Sequence, residues 1–305
     1  MKERASMNRT ITLSAEEIEL VAPKIDHIFI ENKNQIIHGD FNEINKTIPD
    51  KYFDLIIIDP PYNLTKKYGE NTFKAMLDDE YIEYSLLIFK KCLRKLKPTG
   101  TMYVCGDWKT SYLQRRALEY CENDMLCDVI NRITWARDKG RGSINNWKNN
   151  IEDIYMVVKD KSNYYFDVES VKIQKKVLAP YKDKNGNNKD WEYTEEGKLR
   201  MSYPSNIWFD ITIPFWSMPE NTDHPTQKSE KLFAKLILAS SKIGDKIYEP
   251  FAGVCTAGVV ANKLGRNYTC VELENEYCQI GQYRLDKSNI NKNIQGYEDG
   301  IFRDK

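Results

Sequence analysis

The stretch that most narrows what this chain can fold into is the apolar run Phe53-Asp54-Leu55-Ile56-Ile57-Ile58, which ends abruptly in Asp59-Pro60-Pro61-Tyr62. Six residues rich in β-branched types and closed by breakers read as a strand buried on both faces, as in a parallel sheet. Parallel strands need crossover connections, so the run calls for an α/β architecture. It also sets the tetrapeptide at the carboxyl end of its strand, where open α/β sheets bind ligands. The two prolines fix φ and remove two backbone donors. What remains is a carboxylate, a stiff acceptor-rich backbone and an aromatic face.

These groups suit the activation of an exocyclic amino group on a nucleobase. Such a nitrogen is a poor nucleophile because its lone pair is delocalised into the ring. Hydrogen bonds from its two N–H groups to a carboxylate and a carbonyl favour a pyramidal, more nucleophilic atom. Asp59 and the Pro60 carbonyl are the candidate acceptors, with Pro61 stiffening the turn. Tyr62 is the candidate stacking face for a base taken out of its duplex, a contact worth roughly 1–3 kcal/mol. The plainer alternative is a strand-ending turn with a solvated aspartate, so the rest of the chain has to decide.

Taken in order, Ser14-Ala15-Glu16-Glu17 forms a capping-box pattern before a short amphipathic helix, expected to pack on the main domain or on a second copy of the chain. Gln35 to Asp40 reads as a strand ending in a Gly-Asp turn, and its spacing to Asp59 fits two neighbouring parallel strands. A helix is expected over 79–97, a strand over 101–106, a helix over 111–122 and two more strands over 129–136 and 151–158. Between the last two lies a non-periodic segment with Lys139, Arg141, Asn145, Asn146, Trp147 and Lys148. Its cations and amides suit phosphates, and its tryptophan suits a groove or an orphaned base; an ordinary long hairpin connection is the bland alternative.

Periodicity fades over 161–221, read as an inserted loop-rich region whose small core is expected to come from Trp191, Tyr203, Trp208, Phe215 and Trp216. Regular structure resumes with His224-Pro225-Thr226-Gln227-Lys228 and a helical pattern over 230–240. Lys246 to Gly258 then reads as strand, Gly-containing turn and helix start, and Asn267 to Glu272 as a strand ending in an acid. The interval from Gly253 to Glu272 approaches the twenty residues or so that separate a nucleotide-binding turn from its ribose-binding acid. A ribose-containing cofactor is implied.

Composition bounds the alternatives. The 305 residues are 41% hydrophobic and 30% charged, as for a soluble globular protein of one large domain with an insertion or two smaller ones. No apolar stretch approaches the roughly 18 residues of a membrane span, and the polar start Met1-Lys2-Glu3-Arg4 is unlike a signal peptide, so a cytoplasmic location is expected. Seven cysteines form no C-x-x-C pair and there are three histidines, which argues against a metal site or a disulfide framework. The formal net charge is zero, but residues 130–190 carry 13 Lys and Arg against 8 Asp and Glu, a local excess of 5.

The ordered set Gly39-Asp40, Asp59-Pro60-Pro61-Tyr62, His224-Pro225-Thr226-Gln227-Lys228, Pro250-Phe251-Ala252-Gly253 and Val271-Glu272 resembles the β-class DNA amino-methyltransferases of bacterial restriction–modification systems. The resemblance implies S-adenosylmethionine as methyl donor and an α/β, class I methyltransferase (Rossmann-like) sheet, circularly permuted, with an inserted target-recognition region. It implies that 1–34 is an N-terminal helical extension, 35–160 the catalytic half, 161–221 the target-recognition region, 222–285 the cofactor half and 286–305 a polar tail. Asp59, Pro60, Pro61 and Tyr62 would be catalytic. Glu272 would bind the ribose hydroxyls, Asp40 would lie near the cofactor adenine, Phe251, Gly253, Cys255 and Thr256 would form the cofactor turn, and Thr226 and Lys228 would hold the methionine end beside Asp59.

The implied reaction is methylation of adenine N6 in a base flipped from double-stranded DNA, with cytosine N4 as the close alternative. Cys255 stands where the family has a second glycine, which costs something of order 1–2 kcal/mol if φ is positive there. Ser229 replaces a common proline. A nicotinamide-dependent oxidoreductase would want G-x-G-x-x-G, which this turn lacks. A catalytically silent DNA-binding regulator, or a methyltransferase acting on RNA or a protein amide, are the other classes. No membrane partner and no metal are expected, and a homodimer through the N-terminal helix is allowed. The tail is expected to fray, with Tyr297, Ile301 and Phe302 available for docking.

Overall fold

The computed structural model describes residues 5–137, 142, 144–195 and 197–303. Its main sheet contains β1 (Gln35–His38), β2 (Phe53–Ile58), β3 (Leu96–Asp107), β4 (Asp128–Ala136), β5 (Ile151–Val158), β6 (Ile207–Trp208), β7 (Lys246–Glu249) and β8 (Asn267–Glu272), in the spatial order β1-β8-β7-β2-β3-β5-β4-β6. Neighbours run parallel except at β5, which is antiparallel to both β3 and β4. The carboxyl ends of β1, β8, β7, β2 and β3 therefore share one edge of the sheet, but β1 and β2 are not the neighbours that their spacing suggested, since β8 and β7 lie between them. Because β5 runs the other way, its beginning reaches that same edge, with Glu152 in register with Asp107.

Alternation along β2 divides the core. Ile56 and Ile58 point into one cluster with Phe89 and Leu93 of α3 (Asp78–Lys95) and Leu113 and Leu118 of α4 (Trp108–Asn123). Leu55 and Ile57 point into another with Leu232, Phe233 and Leu236 of α5 (Glu230–Ser240) and Val260 of α6 (Thr256–Lys263). Both faces of the strand are covered, which is why its sequence is a continuous apolar run rather than an alternating one. Fully burying each such side chain contributes roughly 1.5–3 kcal/mol.

Two further helices shape the cofactor end: α2 (Phe41–Thr47) after β1, capped by Asp40, and α7 (Asn275–Ile290) after β8, which buries Cys278 and Leu285 against Ile36 and Cys255. The N-terminal helix α1 (Ala15–Val21) forms the expected capping box and packs on Asn275–Ile290, tethered by Lys24 to Asp286 at 2.7 Å.

The inserted region and the C-terminal end depart from expectation together. A second sheet joins Ile173–Lys176, Gly197–Ser202 and Glu192–Thr194 to the C-terminal strands Tyr297–Glu298 and Ile301–Phe302. Among the described residues the polar end does not fray: helix continues through Ile290, and Phe302 is buried in the cluster with Val171, Ile173 and Phe233. A few apolar residues suffice to dock a polar segment, and averaged polarity conceals them. The expected aromatic core is split as well. Trp191 and Trp208 are buried, whereas Tyr203 and Trp216 are at least half exposed. Trp208 belongs to the main sheet, where β6 pairs with β4.

Candidate active site

Asp59 leaves the end of β2 beneath a cluster of four charged or phenolic groups. Lys228, in the turn before α5, donates from Nζ to Asp59 Oδ1 at 2.9 Å and Oδ2 at 2.8 Å. The Tyr62 hydroxyl lies 3.0 Å from Asp59 Oδ1 and 2.9 Å from Glu152 Oε2. Lys228 Nζ is also 3.3 Å from Glu152 Oε2, and Arg137 Nη1 donates to Glu152 Oε1 at 2.9 Å.

Burial pushes the Asp59 carboxyl above its ordinary range against the pull of Lys228, and the Glu152 charge adds to the push. Burial works against the Lys228 charge too, but Asp59 and then Glu152 outweigh it and hold the ammonium above the usual lysine range. Burial, Asp59 and Glu152 all push Tyr62 up, so its phenol keeps its hydrogen. Two carboxylates thus share one buried ammonium and one hydroxyl hydrogen. The Pro61 carbonyl is occupied by the Tyr81 hydroxyl at 2.9 Å.

A cavity of about 520 Å³ opens beside this cluster at the carboxyl edge of the sheet, in the size range of small-molecule sites, roughly 300–1,000 Å³. Asp40, Asp59, Pro60, Pro61, Tyr62, Thr226, Lys228, Phe251, Gly253, Thr256 and Glu272 all line it. Glu272 closes the turn after β7: its Oε2 accepts from Gly253 N–H at 2.6 Å and its Oε1 from Glu274 N–H at 2.9 Å. Gly253 sits at φ +50°, and a Cβ there would come within 2.9 Å of the His224 ring, so both backbone and space require glycine. Burial, then Lys228 and Lys66, depress His224 to about 3, leaving a neutral ring wedged against Tyr277. Phe251 packs on Phe41 at 5.0 Å between ring centres. The Lys66–Tyr68 and Asn71–Phe73 hairpin covers part of the cavity and is pinned by Glu274, which accepts from the Glu70 and Asn71 backbone and from Asn71 Nδ2.

One expectation needs correcting. Cys255 is not on the cavity wall: it precedes α6 at φ 57°, ψ 42°, with its side chain buried in the cluster under the helix Asn275–Ile290. Asp40 lines the cavity but is also the helix cap, accepting from Asn42 N–H at 2.6 Å. Of the basic loop, Lys139 and Arg141 lie outside the described residues; Asn145, Asn146, Trp147 and Lys148 are exposed, Trp147 at 92%, and none reaches the cavity.

Glu152 and Arg137 were missed by sequence reasoning. Their signal is an acid beginning an apolar strand and a cation ending its partner, which becomes meaningful only once β5 is known to run antiparallel. His224, part of the quoted motif, emerges as the support under Gly253.

A family model described as DNA methylase matches residues 53–283. The chain is 34% identical over 257 residues to DNA adenine methyltransferase YhdJ of Escherichia coli K12, covering 82% of each chain. It is 31% identical over 242 residues to Type II methyltransferase M.HpaI of Haemophilus parainfluenzae, covering 79% of this chain and 70% of that one. Among solved structures it resembles PvuII DNA methyltransferase (cytosine-N4-specific), with TM-score 0.63 at 19% identity over 88% of this chain and 92% of that one. It also resembles M1.HpyAVI in complex with S-adenosylmethionine, with TM-score 0.53 at 24% identity over 82% of this chain and 99% of that one.

Proposed function

The chain belongs to the DNA methylase family whose members modify adenine N6 or cytosine N4, and from that premise we propose that this S-adenosylmethionine-dependent DNA methyltransferase acts on adenine N6 of a base flipped from duplex DNA. The observation that carries this reading is the shared wall of cavity and cluster: Asp59, Pro60, Pro61 and Tyr62 border the space that Gly253 and Glu272 close from the other side. The choice of adenine is supported by the D-P-P-Y tetrapeptide and by the name of the YhdJ relative; the likeness to the cytosine-N4-specific enzyme is one of fold.

S-adenosylmethionine supplies a methyl group already activated on a sulfonium, with a neutral thioether as leaving group. The protein's task is positioning and electrostatics. In this reading Glu272 takes the ribose hydroxyls, Asp40 and Phe251 border the adenine, and Thr226 and Lys228 hold the methionine end. Thr256 and the backbone at Gly253 shape the turn, while Cys255 supports it from beneath. Asp59 and the Pro60 carbonyl accept the hydrogens of the target amino group, and Tyr62 gives the base its stacking face. Asn145, Asn146, Trp147 and Lys148 contact DNA, with Trp147 as the wedge; Lys139 and Arg141 are assigned to phosphates from the sequence. The permuted reading is supported by the order of parts: the strand pair carrying Gly253 and Glu272 comes last in the chain yet lies within the parallel half of the sheet.

Single-nucleotide mapping of DNA from cells expressing the chain, beside an Asp59→Ala control, tests the proposal. N6-methyladenine at one short motif, absent from the control, is the expected result. N4-methylcytosine instead would overturn the choice of base and leave the family untouched. Methylation persisting in Asp59→Ala would overturn the role given to Asp59.

A further inference from the structure

Asp59 is heavily engaged for a residue that must accept hydrogens from a substrate. Tyr62 and Lys228 together fill three of its roughly four acceptor positions. An incoming amino group competes with them, and a carboxylate paired to an ammonium is a weakened acceptor. Glu152 is placed within reach of the same two donors, 2.9 Å from the Tyr62 hydroxyl and 3.3 Å from Lys228 Nζ. Tyr62 has one hydrogen to give, so it can satisfy only one of the two carboxylates at a time.

We propose that Glu152 is a positioning residue for methyl transfer: it draws the Tyr62 hydroxyl hydrogen and the Lys228 ammonium off Asp59, freeing that carboxylate for the target amino group. The proposal rests on the reading of Asp59 as acceptor but holds for either base.

Its geometry is built for the task. Arg137 holds Oε1, which leaves Oε2 facing the shared donors. Asp107 stands opposite in register from β3, Cys105 approaches from the same strand, and Trp135 is the register partner on β4. Arg137 also closes the base of the loop bearing Trp147: its backbone N–H donates to the Asn150 carbonyl at 2.6 Å. In the transfer, the nitrogen lone pair forms the bond to the methyl carbon and the carbon–sulfur pair leaves with sulfur. The surplus proton on nitrogen then passes to Asp59 or water.

The test uses the full chain, a duplex carrying the mapped motif, single-turnover methylation and calorimetric binding of S-adenosylmethionine. Glu152→Gln is expected to slow transfer at least ten-fold while cofactor Kd and DNA KM stay within two-fold. It is also expected to move the acidic limb of the pH–rate profile to lower pH, because a negative charge that raises Asp59 is gone. Glu152→Asp should regain part of the rate. Tyr62→Phe combined with Glu152→Gln should lose less than the product of the single losses, since the two act on one hydrogen bond network.

A Glu152→Gln rate within two-fold of wild type, an unmoved pH limb or fully multiplicative losses would overturn the proposal. An active Asp59→Ala variant would instead overturn the reading beneath it. If glutamine at 152 unfolds the chain, Glu152→Asp carries the decision: a reduced rate with cofactor Kd unchanged supports the role, and a wild-type rate defeats it.

Discussion

Cys255 shows how a single residue can be legible as a question and not as an answer. The sequence marks it as a departure where glycine is usual, and a positive φ there costs a non-glycine residue roughly 1–2 kcal/mol. The structure gives φ 57°, so the strain is present, and it also shows the compensation. Gly281 faces Cys255 from the helix Asn275–Ile290, and a Cβ built at 281 would lie 2.6 Å from the thiol sulfur. Glycine at 281 leaves the room that the Cys255 thiol occupies, a relation between residues on separate elements. Gly281→Ala should therefore destabilise the protein by roughly 1–3 kcal/mol through overpacking, despite the ~1 kcal/mol that alanine gains in a helix. Adding Cys255→Gly should restore most of the loss in thermal unfolding. A Gly281→Ala protein at least as stable as wild type would show that the contact relaxes freely.

Among elements, those with strong periodicity were the legible ones. β2, β5 and α5 lie where the sequence sets them, because an apolar run or a helical stripe is a local property. Strand direction and pairing are not local. Nothing in Ile151–Val158 says that it runs against its neighbours, and that reversal is what delivers Glu152 to the site. The short hairpin over the cavity was equally hidden, since its strands span only Lys66–Tyr68 and Asn71–Phe73 and are held by a distant acid. Glu274 makes that tie, and a backbone N–H of Gly69 donates to the Tyr277 hydroxyl at 3.1 Å. Glu274→Ala is expected to speed release of S-adenosylmethionine several-fold in stopped-flow measurements while the melting temperature moves little, because few buried apolar contacts are lost. Unchanged release kinetics would mean that the hairpin does not gate the cavity.

Stability belongs to the whole molecule, and the buried acid Glu249 gives it a pH dependence. Its carboxyl accepts from Ala257 and Gly258 N–H at 3.1 and 3.2 Å, yet burial pushes it up to about 8. The folded chain thus holds this proton more tightly than the unfolded chain does. Its contribution is complete below the unfolded glutamate pKa of roughly 4.3 and is lost as pH rises through about 8. Glu249→Gln, which keeps the shape and a neutral acceptor, should flatten that part of the stability–pH curve in denaturant titrations; an unchanged slope would assign it elsewhere. At this scale no described helix is long and apolar enough to cross a membrane.

By itself the sequence determined the α/β class, the strand that ends at Asp59, the turn-to-acid interval from Gly253 to Glu272 and hence the kind of cofactor, because each is written in neighbouring residues or a fixed spacing. Only the tertiary structure decided that Asp59 and Glu152 contend for Lys228 and Tyr62, that the polar C-terminal end docks, and that Cys255 supports the turn from below. Those outcomes depend on strand direction and on side chains meeting across elements, where the energy of a contact is set by partners far away along the chain.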